Sequence, residues 1–378
     1  MSKFKKALKK KELWSALAKH PLRELDEAVK KDYVKGLVFI AIEDENFSEE
    51  EKAYITSLMS NIGVDEALLS EFESFANEPD EDELLVFMDR IKAFDEDLKV
   101  NFLIEVVLLA FKDGDFDDAE KEMFNDYVEM LELEEKKDDI MHIATALENK
   151  DIDLALAIYT AKKEFFMKYD YMFDMIHVDI EKELKEVYSW EWVEFRLESG
   201  TVEDNNFVAS KPTNIRQICI FLNSLIMNGN IFQIQNTNKF EYKPNKITII
   251  EDINSTNINF QDTLFQYENN QADDFVGVNI DLVHVFTNWI NEHTDNVTKG
   301  LKIIAANDSI VLNESAKGFL TDNYELFLAY IGYKEQGLKI RFIDVSQSDY
   351  SYFSSVEKCS LKSNVNYAFR IMKIEEEQ

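Results

Sequence analysis

The fold of the first half is decided by residues 33–65, YVKGLVFIAIEDENFSEEEKAYITSLMSNIGVD, and by residues 102–134, FLIEVVLLAFKDGDFDDAEKEMFNDYVEMLELE. A shift of 69 residues aligns these two segments, and in both of them apolar residues recur at spacings of three and four. That spacing is the period of a helix, and it occurs on both sides of an acidic run. Each segment therefore predicts a helix, a tight acidic loop and a second helix.

Both acidic runs carry the signature of a helix start. Ser48 followed by Glu51 predicts a capping box, and Asp117 followed by Glu120 is a variant of it. Acidic side chains are also favoured near the positive end of the helix dipole. One interpretation of these carboxylates is therefore that they cap helices or form solvated surface.

The number of carboxylates supports a second interpretation. Residues 43–51 carry six carboxylates and no base, and residues 113–122 carry six carboxylates and one lysine. Capping needs one or two of these, and like charges packed this closely are destabilising unless a counter-ion relieves them. Ca²⁺ takes about six to eight oxygen ligands, and Mg²⁺ also binds oxygen. The loops therefore predict a shared site for a divalent cation, if a pseudo-two-fold axis relates the repeats.

The second loop departs from an EF-hand. Counting from Asp113, Asp118 stands where that loop needs glycine, and Phe124 stands where it needs a bidentate glutamate. The sequence therefore argues against a true EF-hand.

The two loop motifs also resemble those of a known family. They read Ala41-Ile-Glu-Asp44-Glu45-Asn-Phe47-Ser-Glu-Glu-Glu51 and Ala110-Phe-Lys-Asp113-Gly114-Asp115-Phe116-Asp-Asp-Ala-Glu120. Over residues 25–150 the chain resembles the TerB-like (tellurite-resistance TerB) family, although Glu45 replaces a glycine of the first motif. The resemblance implies an all-helical domain of duplicated halves, associated with tellurite and chemical-stress resistance, membrane-linked assemblies and phage defence. It also implies that acidic residues hold a metal ion at Asp44, Glu51, Asp113 and Glu120, with Asp115 and Asp117 as additions.

A basic tail precedes the repeats. Residues 1–31 carry a net charge of +6, whereas residues 32–200 carry −31 and residues 201–378 carry −8. Residues 1–24 predict an amphipathic helix with lysines around an apolar stripe. Such a helix suits an anionic membrane surface or an acidic partner. We favour docking on the chain's own acidic region, or solvation, over a weak membrane contact through residues 1–20.

The sequence changes character after the repeats. Residues 151–199 show helical spacing and predict a helical connector. Residues 200–378 predict an α+β domain, so the fold class is mixed, with an all-α duplicated half first. The predicted helices of this α+β domain cover 213–227, 281–291 and 323–331. Its predicted strands cover 231–235, 246–250, 276–280, 301–305, 309–312, 338–345 and 366–374. The Asn-rich stretch 251–275 predicts an irregular loop.

Composition and the absence of known motifs argue against several classes of function. The net charge of −33 opposes direct nucleic-acid binding. The two cysteines, Cys219 and Cys359, exclude a disulfide scaffold and suit the reducing cytoplasm. Phosphate-loop, dinucleotide-binding, nucleophile-elbow and zinc-protease motifs are absent, and the histidines show no ligand spacing.

These observations favour a non-enzymatic interaction protein over an enzyme. We expect it to be cytoplasmic or peripheral to a membrane, with protein partners of basic surface and a divalent cation, Ca²⁺ or Mg²⁺, at the acidic loops. The first alternative is an acidic decoy that mimics nucleic acid and binds a basic DNA-processing protein. The second, which we rank lower, is a metal-dependent enzyme in the second half that uses the acid pairs Glu251-Asp252 and Asp273-Asp274.

Overall fold

The chain folds into two compact units, Met1–Ile180 and Glu181–Gln378, in a computed structural model. The mixed α+β class predicted from the sequence is confirmed. The change of composition near Gly200 lies inside the second unit. The structure describes residues 19–43, 47–112, 118–190, 192–198, 205–209, 213–244, 246–250, 258–261, 263–268, 271–272, 280–293, 309–311, 326–330, 342–344, 351–353 and 368–375.

The described elements of the first unit are helices. The helices predicted on either side of each acidic run are confirmed as Glu27–Glu43 with Glu49–Ile62 and Glu96–Ala110 with Asp118–Met130, whereas the run residues 44–46 and 113–117 lie outside the described residues. The elements are a 3-10 turn Pro21–Glu24, α1 Glu27–Glu43, α2 Glu49–Ile62, a 3-10 turn Glu66–Leu68, α3 Leu69–Asn77, α4 Glu81–Lys92, α5 Glu96–Ala110, α6 Asp118–Met130, a 3-10 turn Glu134–Lys136, α7 Lys137–Asn149, α8 Ile152–Ala161, α9 Lys163–Phe166 and a 3-10 segment Asp170–Ile176.

The elements follow one order twice. Two helices, a 3-10 turn and two further helices make up α1 to α4, and the same series makes up α5 to α8. The second helix of each series ends at a residue of positive φ, Gly63 at +81° and Glu132 at +59°. The N–H of the following residue then donates back into the last helical turn over 2.9 Å in both cases. This is the hydrogen bond of a Schellman cap, so the chain leaves α2 and α6 in the same way.

The core of this unit surrounds two central helices. α1 packs on α2, α3, α4 and α5, and α5 packs on α6 and α7. Every residue from Val100 to Ala110 is buried, as expected for a helix with neighbours on all sides. The aligned apolar positions within the helices are all buried, namely Tyr33, Val34, Leu37, Val38, Ile40, Ala41, Ile55, Leu58, Met59, Ile62 and Val64 with Phe102, Leu103, Val106, Val107, Leu109, Ala110, Phe124, Tyr127, Val128, Leu131 and Leu133. In the aligned loops, Phe47 is half-buried and Phe116 lies outside the described residues.

Gly36 allows a close approach of α1 to α5. A Cβ atom added at Gly36 would lie 2.9 Å from Cε2 and 3.0 Å from Cζ of Phe102. The cavity beside it, which Gly36 and Phe102 help to line, holds about 10 Å³, the space of one water molecule. The position therefore requires glycine for space rather than for a turn.

The second unit combines helices with three sheets. A seven-stranded sheet has the order β11-β10-β9-β12-β2-β1-β8 and is antiparallel except where β12 pairs with β9. The strands β3, β4 and β5 form a second sheet, and β6 with β7 form a hairpin. The elements are α10 Ile180–Val187, β1 Trp192–Glu198, β2 Asn205–Ala209, α11 Ile215–Met227, β3 Ile231–Gln233, β4 Phe240–Tyr242, β5 Ile247–Ile250, β6 Asn259–Gln261, β7 Leu264–Gln266, α12 Ile280–His293, β8 Ser309–Val311, β9 Leu326–Tyr330, β10 Phe342–Asp344, β11 Ser351–Phe353 and β12 Ala368–Glu375.

Several predictions for this unit are confirmed. The helices over 213–227 and 281–291 are α11 and α12. Strands occur within five of the predicted ranges, 231–235, 246–250, 309–312, 338–345 and 366–374. The strands predicted over 276–280 and 301–305 fall almost wholly outside the described residues.

Three predictions are corrected. The helix predicted over 323–331 is the strand β9, because a short apolar run has no periodicity that separates strand from helix, and pairing with β12 decides it. The loop predicted over 251–275 contains the β6–β7 hairpin. The continuous connector over 151–199 is a series of short helices, and its last residues pair with β2 as β1.

No helix in the described part of the chain is both long enough and apolar enough to cross a membrane.

Candidate functional site

The capping box predicted at the start of α2 is confirmed. The Ser48 side chain accepts the N–H of Glu51 over 3.1 Å, and Glu51 Oε2 accepts the N–H of Ser48 over 2.7 Å. Glu51 is 2% exposed, so its carboxylate is held inside the helix start rather than in solvent. Glu51 therefore has a structural role at the start of α2.

The other predicted ligands divide into one described residue and four that lie outside the described residues. Glu120, at the corresponding place in the first turn of α6, is 9% exposed. Asp44, Asp113, Asp115 and Asp117 fall outside the described residues. No group of three or more His, Cys, Asp or Glu side chains in the described part of the chain is placed to hold a metal ion. The cation site at the loops therefore stays a prediction.

The lysines that flank the two acidic runs pair with other carboxylates. Lys52, just after the first run, lies 3.5 Å from Glu73 of α3. Lys112, just before the second run, lies 2.6 Å from Glu148 of α7. Each of the two lysines therefore pairs with a carboxylate outside the acidic run that it flanks in the sequence.

A second polar cluster lies in the core of the helical unit, where the sequence predicted no site. Its members come from the segment before the first 3-10 turn, from α1, α2 and α5, and from the 3-10 segment Asp170–Ile176. None of them is more than 9% exposed. They are His20, Tyr33, Tyr54, Asn101, Glu105 and Tyr171.

Glu105 is the acceptor at the centre of this cluster. Tyr33 Oη donates to its Oε2 over 2.7 Å, and Tyr54 Oη donates to its Oε1 over 2.6 Å. Asn101 extends the network, because it donates to Tyr33 Oη over 2.8 Å and accepts from Tyr171 Oη over 2.5 Å. A buried carboxylate needs several such donors to offset its loss of water.

His20 joins the start of the described chain to this cluster. Its Nδ1 accepts the N–H of Leu22 over 3.1 Å and so caps the first 3-10 turn. Its Nε2 lies 3.3 Å from Glu105 Oε1 and 3.2 Å from Asn101 Nδ2. One ring thus satisfies a helix terminus and faces the buried carboxylate.

The surroundings shift the pKa of several of these groups. Burial raises the pKa of the Glu105 carboxyl, but the His20 ring and the hydroxyls of Tyr54 and Tyr33 outweigh burial, and the net pKa is lowered from its ordinary value. Burial, followed by the nearby negative charge of Glu105, raises the pKa of Tyr33, Tyr54 and Tyr171 well above the ordinary value. The carboxyl is therefore kept as an acceptor and the hydroxyls as donors.

The lowered pKa of Glu105 predicts a stability that falls in acid. As pH falls, the Glu105 carboxyl binds its proton at a higher pH in the unfolded chain than in the folded chain. Its contribution to the free energy of unfolding is therefore complete above the unfolded pKa and is lost as pH falls through the folded pKa. We expect the difference in unfolding free energy between the natural chain and Glu105→Gln to shrink over this window. Urea unfolding of both chains at a series of pH values measures it. A constant difference from about pH 7 to about pH 3 would contradict a buried carboxylate.

The buried cluster around Glu105 can hold helices together. Because its side chains are buried, a substrate in solvent would not reach them. Five separate segments contribute to one hydrogen-bonded network around a single charge. A signal for it existed in the sequence, because Glu105 is the one charged residue in the apolar run from Phe102 to Ala110. An acid that interrupts a run buried on all sides is itself expected to be buried and paired.

Fold and site together define a class of protein, a helical unit with a two-fold series of elements followed in the same chain by an α+β unit. Comparison with protein-family models, curated proteins and solved structures returned no match.

Proposed function

We propose that this chain is a non-enzymatic, TerB-like accessory protein of bacterial stress response or phage defence, whose acidic loops bind a divalent cation. The helical unit is on this proposal a duplicated TerB-like domain, with α1–α4 and α5–α8 as its halves. The shared order of elements and the shared exit from α2 and α6 support the duplication.

One observation carries the proposal. In each half a glutamate of the acidic run lies buried in the first turn of the second helix, Glu51 in α2 and Glu120 in α6. In the sequence, the other carboxylates of each run stand just before or within this first turn, at the positive end of the helix dipole. Lys52 and Lys112, the lysines next to the runs, pair with Glu73 and Glu148, which lie outside the runs. A divalent cation with oxygen ligands suits such a cluster.

Titration calorimetry of the full chain with Ca²⁺ and with Mg²⁺ tests the proposal. We expect heat of binding and a higher melting temperature, because a ligand at 100 times its Kd stabilises the folded state by about 2.7 kcal/mol. The variant carrying Asp44→Asn with Asp113→Asn should lose both effects. A control with Asp126→Asn and Glu129→Gln removes as much charge from exposed positions of α6 and should keep them.

The absence of both heat and a melting shift with either cation would contradict the proposal. Binding that ignores a chelator but collapses as salt rises would instead favour the acidic decoy, since exposed charge pairs are screened by salt. Equal loss of binding in the control variant would show a general charge effect and would also count against a site at the loops.

A further inference from the structure

An exposed apolar pair lies on helix α4. Leu85 is 62% exposed and Val86 is 57% exposed. Asp82 and Asp89 stand three or four residues from them, so these four side chains lie on one side of the helix. The opposite side is in the core, where Phe87 and Ile91 are 1% and 2% exposed. We call Asp82, Leu85, Val86 and Asp89 the α4 face.

The two carboxylates of the α4 face are open to solvent. Asp82 and Asp89 are exposed, and neither forms an ion pair with any base that the structure describes. Of the exposed charged neighbours, Glu83 pairs with Lys35 over 3.0 Å and Arg90 pairs with Asp32 over 3.2 Å. The exposed Glu81 and Lys92 lie on the same side of the helix, one turn before Leu85 and one turn after Asp89. The face thus has an apolar centre between two negative charges that lie about 10 Å apart along the helix, at about 1.5 Å per residue.

The corresponding helix of the second series has no such open face. Both α4 and α8 begin at an aspartate whose side chain accepts the N–H three residues later, Asp80 and Asp151. Counted from these caps, the exposed apolar pair of α4 corresponds to Leu156 and Ala157 in α8. Both of those residues are 0% exposed.

The chain itself helps to cover α8. The helix α9 follows directly and packs on α8. The ring of Phe166 meets the ring of Tyr159 at 5.6 Å, and Lys163 Nζ lies 4.9 Å from the centre of the same Tyr159 ring. After α4 the chain instead passes through a short turn into α5, so it supplies no equivalent of α9.

We propose that the α4 face docks a basic amphipathic helix of a partner protein. Aromatic or aliphatic side chains of that helix would pack on Leu85 and Val86, as Phe166 packs against α8. Lysines about two turns apart would meet Asp82 and Asp89, since their spacing matches that of the two carboxylates. This surface is separate from the acidic loops and does not depend on cation binding.

The test measures fluorescence anisotropy of a labelled probe with the full chain. The probe is a 15-residue peptide with phenylalanine and leucine on one helical face and lysine on the other. We expect Leu85→Ser with Val86→Thr to weaken binding about tenfold or more, because the anchors lose their apolar contact. Asp82→Asn with Asp89→Asn should weaken it several-fold and reduce its salt dependence. Met167→Ser, at an apolar residue 44% exposed elsewhere, is the matched control and should bind as the natural chain does.

Three outcomes would overturn this proposal. In the first, all variants bind the probe as tightly as the natural chain does. In the second, a probe with glutamate in place of lysine binds equally well. In the third, sedimentation shows that the natural chain self-associates and that the Leu85 and Val86 substitutions dissociate it. The last would assign the face to a second copy of this chain. The variant with Asp44→Asn and Asp113→Asn should bind the probe normally, which separates this result from the cation experiment.

Discussion

Replacing Glu105 by alanine is expected to lower the free energy of unfolding of the helical unit by about 3–5 kcal/mol. The substitution removes the acceptor for Tyr33 and Tyr54 and the group that faces His20. Buried donors that lose their acceptor bear the cost of leaving water without a replacement bond. The substitution also leaves a cavity beside α5, and the two costs add.

Urea unfolding followed by the helical circular dichroism signal measures this change. Glu105→Gln keeps the size of the side chain, and we expect it to cost less than alanine, about 1–3 kcal/mol. Glu129→Gln, at an exposed position of α6, is the matched control and should stay within about 0.5 kcal/mol of the natural chain. A loss below about 1 kcal/mol for Glu105→Ala would contradict the central place of this carboxylate.

Replacing Gly36 by alanine is expected to destabilise the helical unit by about 1–2 kcal/mol. Alanine favours a helix over glycine by about 1 kcal/mol, so propensity alone predicts a gain. The added Cβ, however, would lie 2.9 Å from the ring of Phe102, which is 1% exposed and has little room to move. Overpacking of this kind costs about 1–3 kcal/mol and exceeds the gain.

A double-mutant cycle separates these two effects. Phe102→Leu removes the atoms that the new Cβ would meet, so Gly36→Ala in that background should become neutral or stabilising by up to about 1 kcal/mol. Urea unfolding of the four chains supplies the coupling energy. If Gly36→Ala destabilises both backgrounds equally, the close approach of α1 and α5 is not the reason for glycine at this position.

The sequence predicted the local architecture of the first unit well because helix formation there depends on near neighbours. Apolar spacings of three and four placed α1, α2, α5 and α6, and the pair Ser48 and Glu51 predicted the start of α2. The same reasoning identified the buried apolar positions of both repeats. It was less successful for β9, where a short apolar run was interpreted as helix.

The buried cluster could not be predicted from near neighbours. The donors to Glu105 come from Tyr33 and Tyr54, which precede it by 72 and 51 residues. The sequence shows an acid in an apolar run, but it does not show which hydroxyls will meet that acid. The α4 face could not be predicted from near neighbours either, since Leu85 is exposed whereas its counterpart Leu156 in α8 is buried.

By itself, then, the sequence determined that a helix lies on each side of both acidic runs, that α2 begins after Ser48, and which sides of these helices are apolar, because these depend on the backbone period and on caps within four residues. Only the tertiary structure decided which polar groups share the core with Glu105, how close α1 and α5 approach at Gly36, and that the face of α4 stays open. These depend on contacts between residues far apart in the chain, and the local spacing of residue types contains no record of them.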